Sequence, residues 1–402
     1  MRHIITTCML AAFMVLSCTK LEEYLPHHPD RVRPDANFTY TLSSDSLPVQ
    51  VAFTNTSTGA TEFYWDFGNG QSSTLQNPVT TYTEGGVYQV RLIASNAFGK
   101  DTSVQQITIE AFPASFPHPQ TYTSFNNQTL NLYSWEGDYV TILSSDPDLN
   151  KATMWKWVHT MDSVYLFYKE ATGRTPATLP PTYINNRTTI ADVPTTCGAG
   201  CGYLGATGIE LQHTFFNNAY IALDQNNEYD QVVFYEFGRN FWFYENKLAY
   251  KANDPVTTGY AIFMRFMAME ATGVKGASFD NLSFDAFKDT VIGLVDQYLA
   301  NPSLTWENTL AIDRGVPNGF GSAADLFASF CFRLKRDYGG DAFVQNIWKE
   351  AALRPDAVTT QDAVDNFFLA ACAAANRNLT PVFQNWRWPL SDAAIEEAEQ
   401  YP

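Results

Sequence analysis

The sequence predicts a multidomain protein in which a β-sandwich precedes an α+β domain with a mixed β-rich part and a helical C-terminal lobe. Three observations carry this prediction. Apolar and polar residues alternate with period two from Asn37 to about residue 111, strand-like runs and turn residues follow from Thr121 to Leu223, and apolar residues recur at steps of three and four from Asp230 onward. With 402 residues, of which 45% are hydrophobic and 15% aromatic, the chain can fill more than one core. A net charge of −17 leaves no basic footprint for phosphates, so nucleic acid is excluded as a partner.

Met1-Arg2-His3 precedes an apolar stretch from Ile4 to Leu16 that is too short to cross a bilayer, so 1–17 reads as an export signal. Val15-Leu16-Ser17-Cys18 resembles a bacterial lipobox, which implies lipidation of Cys18 and membrane contact through the lipid alone. An ordinary signal peptide with a coincidental cysteine is the alternative. Lys20-Leu21-Glu22-Glu23 resembles the acidic export tag of surface lipoproteins in the Bacteroidetes group, which implies an outer-membrane or cell-surface location. Pro26, Pro29 and Pro34 make 18–34 an extended tether.

Within 35–111, Phe38-Thr-Tyr40 and Val49-Gln-Val51-Ala-Phe53 alternate as strands of a small sandwich. In Phe63-Tyr64-Trp65-Asp66-Phe67-Gly68-Asn69-Gly70, Trp65 and Phe67 fall on one face, and the glycines suit a hairpin turn. With Asn77-Pro78, Tyr82, Gly86-Val87-Tyr88 and Ala94-Ser95-Asn96, this run resembles a polycystic-kidney-disease (PKD) domain, whose Trp-Asp-Phe-Gly-Asp-Gly signature is matched except at Asn69. The resemblance implies an immunoglobulin-like spacer or binding module without catalysis.

Three prolines between Ala111 and Pro119 mark 112–119 as a linker into a second domain, 120–402, divided into a β-rich part (120–229) and a helical part (230–402). Expected strands are Thr129–Tyr133, Tyr139–Leu143, Ser163–Tyr168 and Tyr220–Leu223, with one helix over Ala152–Thr160. The glycine-rich run from Gly202 to Leu211 leads into a strand, with no helix expected after it to cradle phosphate. Cys197 and Cys201 suit a small-loop disulfide in an oxidising envelope, with a zinc knuckle as the weaker alternative. Cys331 and Cys372 sit in apolar helical settings as core residues, and a bond between them is left open. Acids alternate from Asp224 to Asp230 as in a calcium loop, but the turn glycine and terminal glutamate of that loop are missing. A helix-capping acidic loop is therefore expected, with calcium as the alternative.

The run Asp230–Tyr244 reads as a buried helix on which Tyr235 and Arg239 share a face beside Glu236. Tyr235-Glu-Phe-Gly-Arg-Asn-Phe-Trp resembles the His-Glu-x-Gly-His-Asn segment of the enhancin-like, mucin-targeting gluzincin metallopeptidases. Glu236 then matches the general base and Gly238 the helix glycine, while Tyr235 and Arg239 stand at the two zinc-ligand positions. A phenol titrates near ~10 and arginine stays protonated, so zinc is not expected; an i,i+3 pair between Glu236 and Arg239 fills that space instead. The family's third ligand is a downstream glutamate, for which Glu245 and Glu270 are candidates. The family's cleft is lined by an edge strand able to pair with substrate, which the resemblance places at Tyr203, Gly205, Gly208 and Glu210, with Trp242 nearby.

Helices are expected at Gly259–Glu270, Phe284–Ala300, Ala323–Tyr338 and Thr360–Asn376, with turns around Gly319–Gly321 and Asp337–Asp341. The Met residues of the first read as core. Asn378-Leu-Thr-Pro-Val-Phe-Gln-Asn-Trp386-Arg-Trp388-Pro resembles the end of the enhancin-like catalytic region. Together these features point to a lipid-anchored surface protein whose zinc-less peptidase-like domain binds glycoprotein, peptide or glycan, with Tyr203, Trp242 and Tyr244 as stacking aromatics. The alternatives are an active peptidase with an atypical site, a glycoside hydrolase built on two carboxylates, and a scaffold in a surface glycan-uptake complex.

Overall fold

The computed structural model describes residues 32–43, 47–109, 116–279, 281–317 and 320–402. The export signal, Cys18, most of the tether and the first half of the linker lie outside the described residues. The chain forms two compact units, Met1–Ala111 and Phe112–Pro402.

The first unit is all β. Strands β1 (Phe38–Leu42), β2 (Val49–Asn55) and β5 (Val79–Tyr82) make one antiparallel sheet; β3 (Glu62–Asp66), β4 (Ser72–Ser73), β6 (Gly86–Asn96) and β7 (Gly99–Ile109) make the other, in the order β4-β3-β6-β7. Period-two alternation turns Val49, Val51 and Phe53 of β2 inward, where they meet Trp65, Phe67, Val90, Leu92 and Ile107 from the facing sheet. The Trp65 indole donates to the Leu75 carbonyl at 2.9 Å, and the Tyr82 hydroxyl donates to the Phe67 carbonyl at 2.8 Å. Gly68 has φ +72°, and a Cβ there would lie 2.7 Å from the Gln89 carbonyl oxygen, so both conformation and space require glycine.

The second unit contains β8 (His118–Thr123), β9 (Thr129–Glu136), β10 (Val140–Ser144), α1 (Lys151–Thr172), β11 (Tyr183–Ile184), β12 (Arg187–Val193), β13 (Gly200–Gly202) and β14 (Ile209–Gln212), followed by helices. Its sheet runs β13-β14-β12-β10-β9-β8, with β11 paired to β12; β10, β12 and β14 are parallel, and β13 is an antiparallel edge strand. The helices are α2 (His213–Asn226), α3 (Gln231–Arg239), α4 (Glu245–Leu248), α5 (Val256–Thr272), α6 (Phe284–Ile292), α7 (Leu294–Ala300), α8 (Ala323–Asp337), α9 (Asp341–Leu353), α10 (Thr360–Ala375), α11 (Thr380–Asn385) and α12 (Asp392–Ala398). One continuous core links the sheet face under α1 to the helical lobe, with α5 packed against α1, α3 and α8. None of the described helices is long and apolar enough to cross a membrane.

Several expectations are corrected. Ser163–Tyr168 is not a strand but the second half of α1, whose buried Met154, Trp157, Met161, Val164, Tyr168 and Ala171 recur at three and four residue steps. Its β-branched and aromatic residues gave the strand signal, and the helical stripe overrides it. Tyr220–Leu223 likewise belongs to α2, where Phe216, Ala219 and Leu223 face inward. A helix does follow the glycine-rich segment, because α2 begins at the residue after β14. The helix at Asp230 stops at Arg239, where the chain turns through bonds from the Phe241 N–H to the Gly238 carbonyl and from the Trp242 N–H to the Arg239 carbonyl. Phe284–Ala300 is two helices broken at Gly293. Asp224 and Asn226 sit in α2, and Asp230 alone acts as a cap, accepting the Val232 N–H at 2.9 Å.

Candidate functional site

Helices α3 and α5 and the edge strand β13 enclose a cleft of about 360 Å³, whose lining includes Gly200, Tyr235, Glu236, Arg265, Phe320 and Asp325. Asp230 caps α3 and fixes the direction in which the helix presents Tyr235 and Glu236. Strand β13 lies directly on α3 because its residues at the contact are glycines. A Cβ on Gly200 would sit 2.9 Å from the Glu236 Cγ, and one on Gly202 would sit 2.4 Å from the Glu236 carbonyl oxygen. A disulfide between Cys197 and Cys201 closes the loop that leads into this strand, while Cys331 and Cys372 are free and buried.

Arg239 is the hub of the polar contacts. Its Nε lies 3.7 Å from Oε2 of Glu236 and donates to the Gly202 carbonyl at 3.4 Å, and its Nη1 donates to the Tyr235 hydroxyl at 3.5 Å. Glu236 is only 7% exposed, and that burial pushes its carboxyl up to about 7, against the pull of Arg239 and of the Gly202 N–H, which it accepts. Backbone bonds to β14 use the Tyr203 N–H and the Ala199 carbonyl, so the N–H and carbonyl of Gly202 point to the open edge of the sheet. Glu236 and Arg239 occupy both of those groups.

Across the cleft, α5 contributes Arg265, which is 8% exposed. Its guanidinium lies over the rings of Tyr235, Phe266 and Phe287, at 5.7, 4.7 and 5.1 Å from their centroids. Burial lowers its pKa to about 10, and the charges of Asp325 and Asp230 work against that shift. Neither glutamate expected as a third ligand lines this cleft. Glu245 accepts from the Trp242 indole at 3.0 Å, and Glu270 pairs with Lys288 and Lys335. Tyr235, Arg239 and Arg265 are a phenol and two guanidiniums, a donor set that does not fit zinc. Among the described residues, no group of three or more His, Cys, Asp or Glu could hold a metal, calcium included.

The other expected cleft residues lie elsewhere. Glu210 is fully buried and accepts from the Phe125 N–H at 2.7 Å, the Tyr122 hydroxyl at 3.1 Å and the Thr196 hydroxyl at 3.1 Å, which makes it a tie between loops. Tyr203 packs on Phe125 with ring centroids 4.2 Å apart, Gly205 abuts the Trp242 backbone, Gly208 abuts Thr182, and Trp242 and Tyr244 are core residues. The sequence reading missed Arg265 and Asp325. A signal for Arg265 was present, since it is the one charged residue among the apolar side chains between Val256 and Met269.

Residues 31–111 match the family model of the PKD domain. Over 120 residues the chain is 29% identical to the pre-pro-metalloprotease PrtV of Vibrio cholerae, and the match covers 30% of this chain and only 12% of that protein. The crystal structure of the PKD1 domain of Vibrio anguillarum Epp is 31% identical and covers 20% of this chain and 98% of its own, with a TM-score of 0.18. The ZmpB metallopeptidase from Clostridium perfringens is 12% identical over 93% of this chain and 77% of that one, with a TM-score of 0.40. The first unit is a PKD domain, and the second is similar to metallopeptidase structures.

Proposed function

We propose that this protein is an exported, lipid-anchored surface protein whose second unit keeps a peptidase-like cleft without its zinc and binds a glycoprotein, peptide or glycan there. The observation that supports this reading is the contact set of Arg239 with Glu236, Tyr235 and Gly202, a permanent cation beside the carboxylate that the resemblance makes a general base. A guanidinium neutralises the carboxylate as a metal would but carries no water to activate. The PKD unit then acts as a spacer or a second contact with the ligand.

A second reading is an active hydrolase, favoured by the Glu236 carboxyl poised at about 7, where a general base works best. Zinc content decides between them. Full-length protein extracted in detergent and purified without chelator is expected to hold far less than one zinc per chain by plasma mass spectrometry. The triple change Tyr235→His, Arg239→His and Arg265→Glu is expected to gain zinc. One zinc per wild-type chain would sink the binding reading and send the protein to protease assays.

A further inference from the structure

We infer that the cleft beside Glu236 is a binding site for a carboxylate group, with the guanidinium of Arg265 as its anchor; this deepens the proposed binding function and rests on it for the choice of cleft. Among the described residues no ion pair or hydrogen bond reaches Arg265, its Nε is a buried donor without a partner, and the side chain is more than nine-tenths buried. An unpaired guanidinium in such a place is costly, and the cost is relieved by an anion that enters from the cleft. The rings of Tyr235, Phe266 and Phe287 pack within 5.7 Å of the guanidinium, and Arg265 lies on the cleft wall, where a ligand can reach it.

The protein's own carboxylates near Arg265 are otherwise engaged. Asp325 lines the cleft and its charge acts on Arg265, but its Oδ2 accepts the Ser322 N–H at 2.7 Å and the Ser322 hydroxyl at 2.8 Å in the capping box that starts α8. Asp230 caps α3, and Glu236 pairs with Arg239. None of these makes an ion pair with Arg265. Ile262, Phe279, Phe287 and Phe320 add apolar walls beside the polar Gln231 and Thr258, and the volume of about 360 Å³ suits one ring-sized or side-chain-sized group. A guanidinium in such a cleft fits a carboxylate, which it can take through two parallel N–H donors. Such a group comes from an acidic sugar or from an acidic residue of a peptide.

Calorimetry on the full-length protein in detergent would compare D-glucuronate with D-glucose, and N-acetylglutamate with N-acetylglutamine. At least one acid is expected to bind, with its neutral counterpart about 10- to 100-fold weaker. Arg265→Met should weaken the acid by the same factor, and Arg265→Lys, which keeps the charge but not the fork, should fall between. Glucuronate binding alone assigns the carboxylate to a sugar; N-acetylglutamate binding alone assigns it to a peptide. The inference is overturned if neither acid binds, or if the acid binds Arg265→Met as it binds wild type. Should the Met variant fail to fold, the acid-to-neutral ratio on wild type and on Arg265→Lys decides. Zinc measured in the same samples separates the two proposals, because acid binding by zinc-loaded protein sinks only the zinc-less reading, and zinc-free protein that binds no acid sinks only this one.

Discussion

Glu236 and Arg239 face each other one helical turn apart, with Oε2 and Nε separated by 3.7 Å, and the carboxylate is the more buried partner. The pair is therefore asymmetric. Arg239 keeps part of its hydration, while Glu236 depends on Arg239 and the Gly202 N–H for what it has lost.

Stability should depend on pH through this carboxyl. Its folded value of about 7 lies above the ordinary 4.5, so between these values the folded state holds a proton that the unfolded chain has released. The stabilisation is present in acid and is lost as pH rises through 7. Glu236→Gln removes the titration, so its melting temperature relative to wild type should rise between pH 5 and pH 8. The full shift corresponds to something on the order of 3 kcal/mol, or roughly 5 °C. Scanning calorimetry at the two pH values checks this, and parallel curves would refute it.

Gly202→Ala should be severe. The added Cβ would sit 2.4 Å from the Glu236 carbonyl oxygen, a backbone atom that can move only if α3 or β13 moves. A loss of about 1–3 kcal/mol or more is expected, with the cleft distorted. Denaturant unfolding gives the loss, and the acid-binding assay above should register the distortion.

Asp162→Ala should also destabilise the second unit. The buried carboxylate accepts the N–H groups of Asp138, Tyr139 and Val140 at 2.7, 2.8 and 2.9 Å, and so holds the turn into β10 onto α1. Burial raises its pKa, against the pull of these three donors. Alanine strands the donors, at a cost of about 3 kcal/mol, whereas asparagine keeps one acceptor oxygen and should cost less. Equal losses for the two variants would count against this account.

Trp65→Ala should unfold or weaken the first unit. The side chain is fully buried between Phe38 and Phe53 and holds the Leu75 carbonyl, so a loss of about 3–5 kcal/mol is expected. Near-ultraviolet circular dichroism and limited proteolysis of the full-length protein would register it.

The β-sandwich was legible because its central strands alternate by themselves, as Val49, Val51 and Phe53 illustrate. The helix carrying Glu236 and the pair with Arg239 were legible for a similar reason, since spacing along one helix is a local property. What the sequence hid was non-local. Val164 and Tyr168 reveal their helical stripe only in a window long enough to include Met154, Trp157 and Met161. That α5 would turn Arg265 toward Tyr235 depends on how two helices pack, which no motif records. The expected cleft glycines failed for the same reason. Gly205 and Gly208 are demanded by close packing against Trp242 and Thr182, whereas the glycines that shape the cleft are Gly200 and Gly202.

The engagement of Gly202 by Glu236 and Arg239 bears on solubility as well as on the cleft. Strand β13 ends a seven-stranded sheet, and an unguarded edge of that kind recruits strands from other copies of the chain. Three residues of strand, two side chains clasping the outward amide and carbonyl, and a disulfide-closed loop beside them leave little edge to template growth. The pair of Glu236 and Arg239 thus also hinders strand pairing between copies of this chain at that edge.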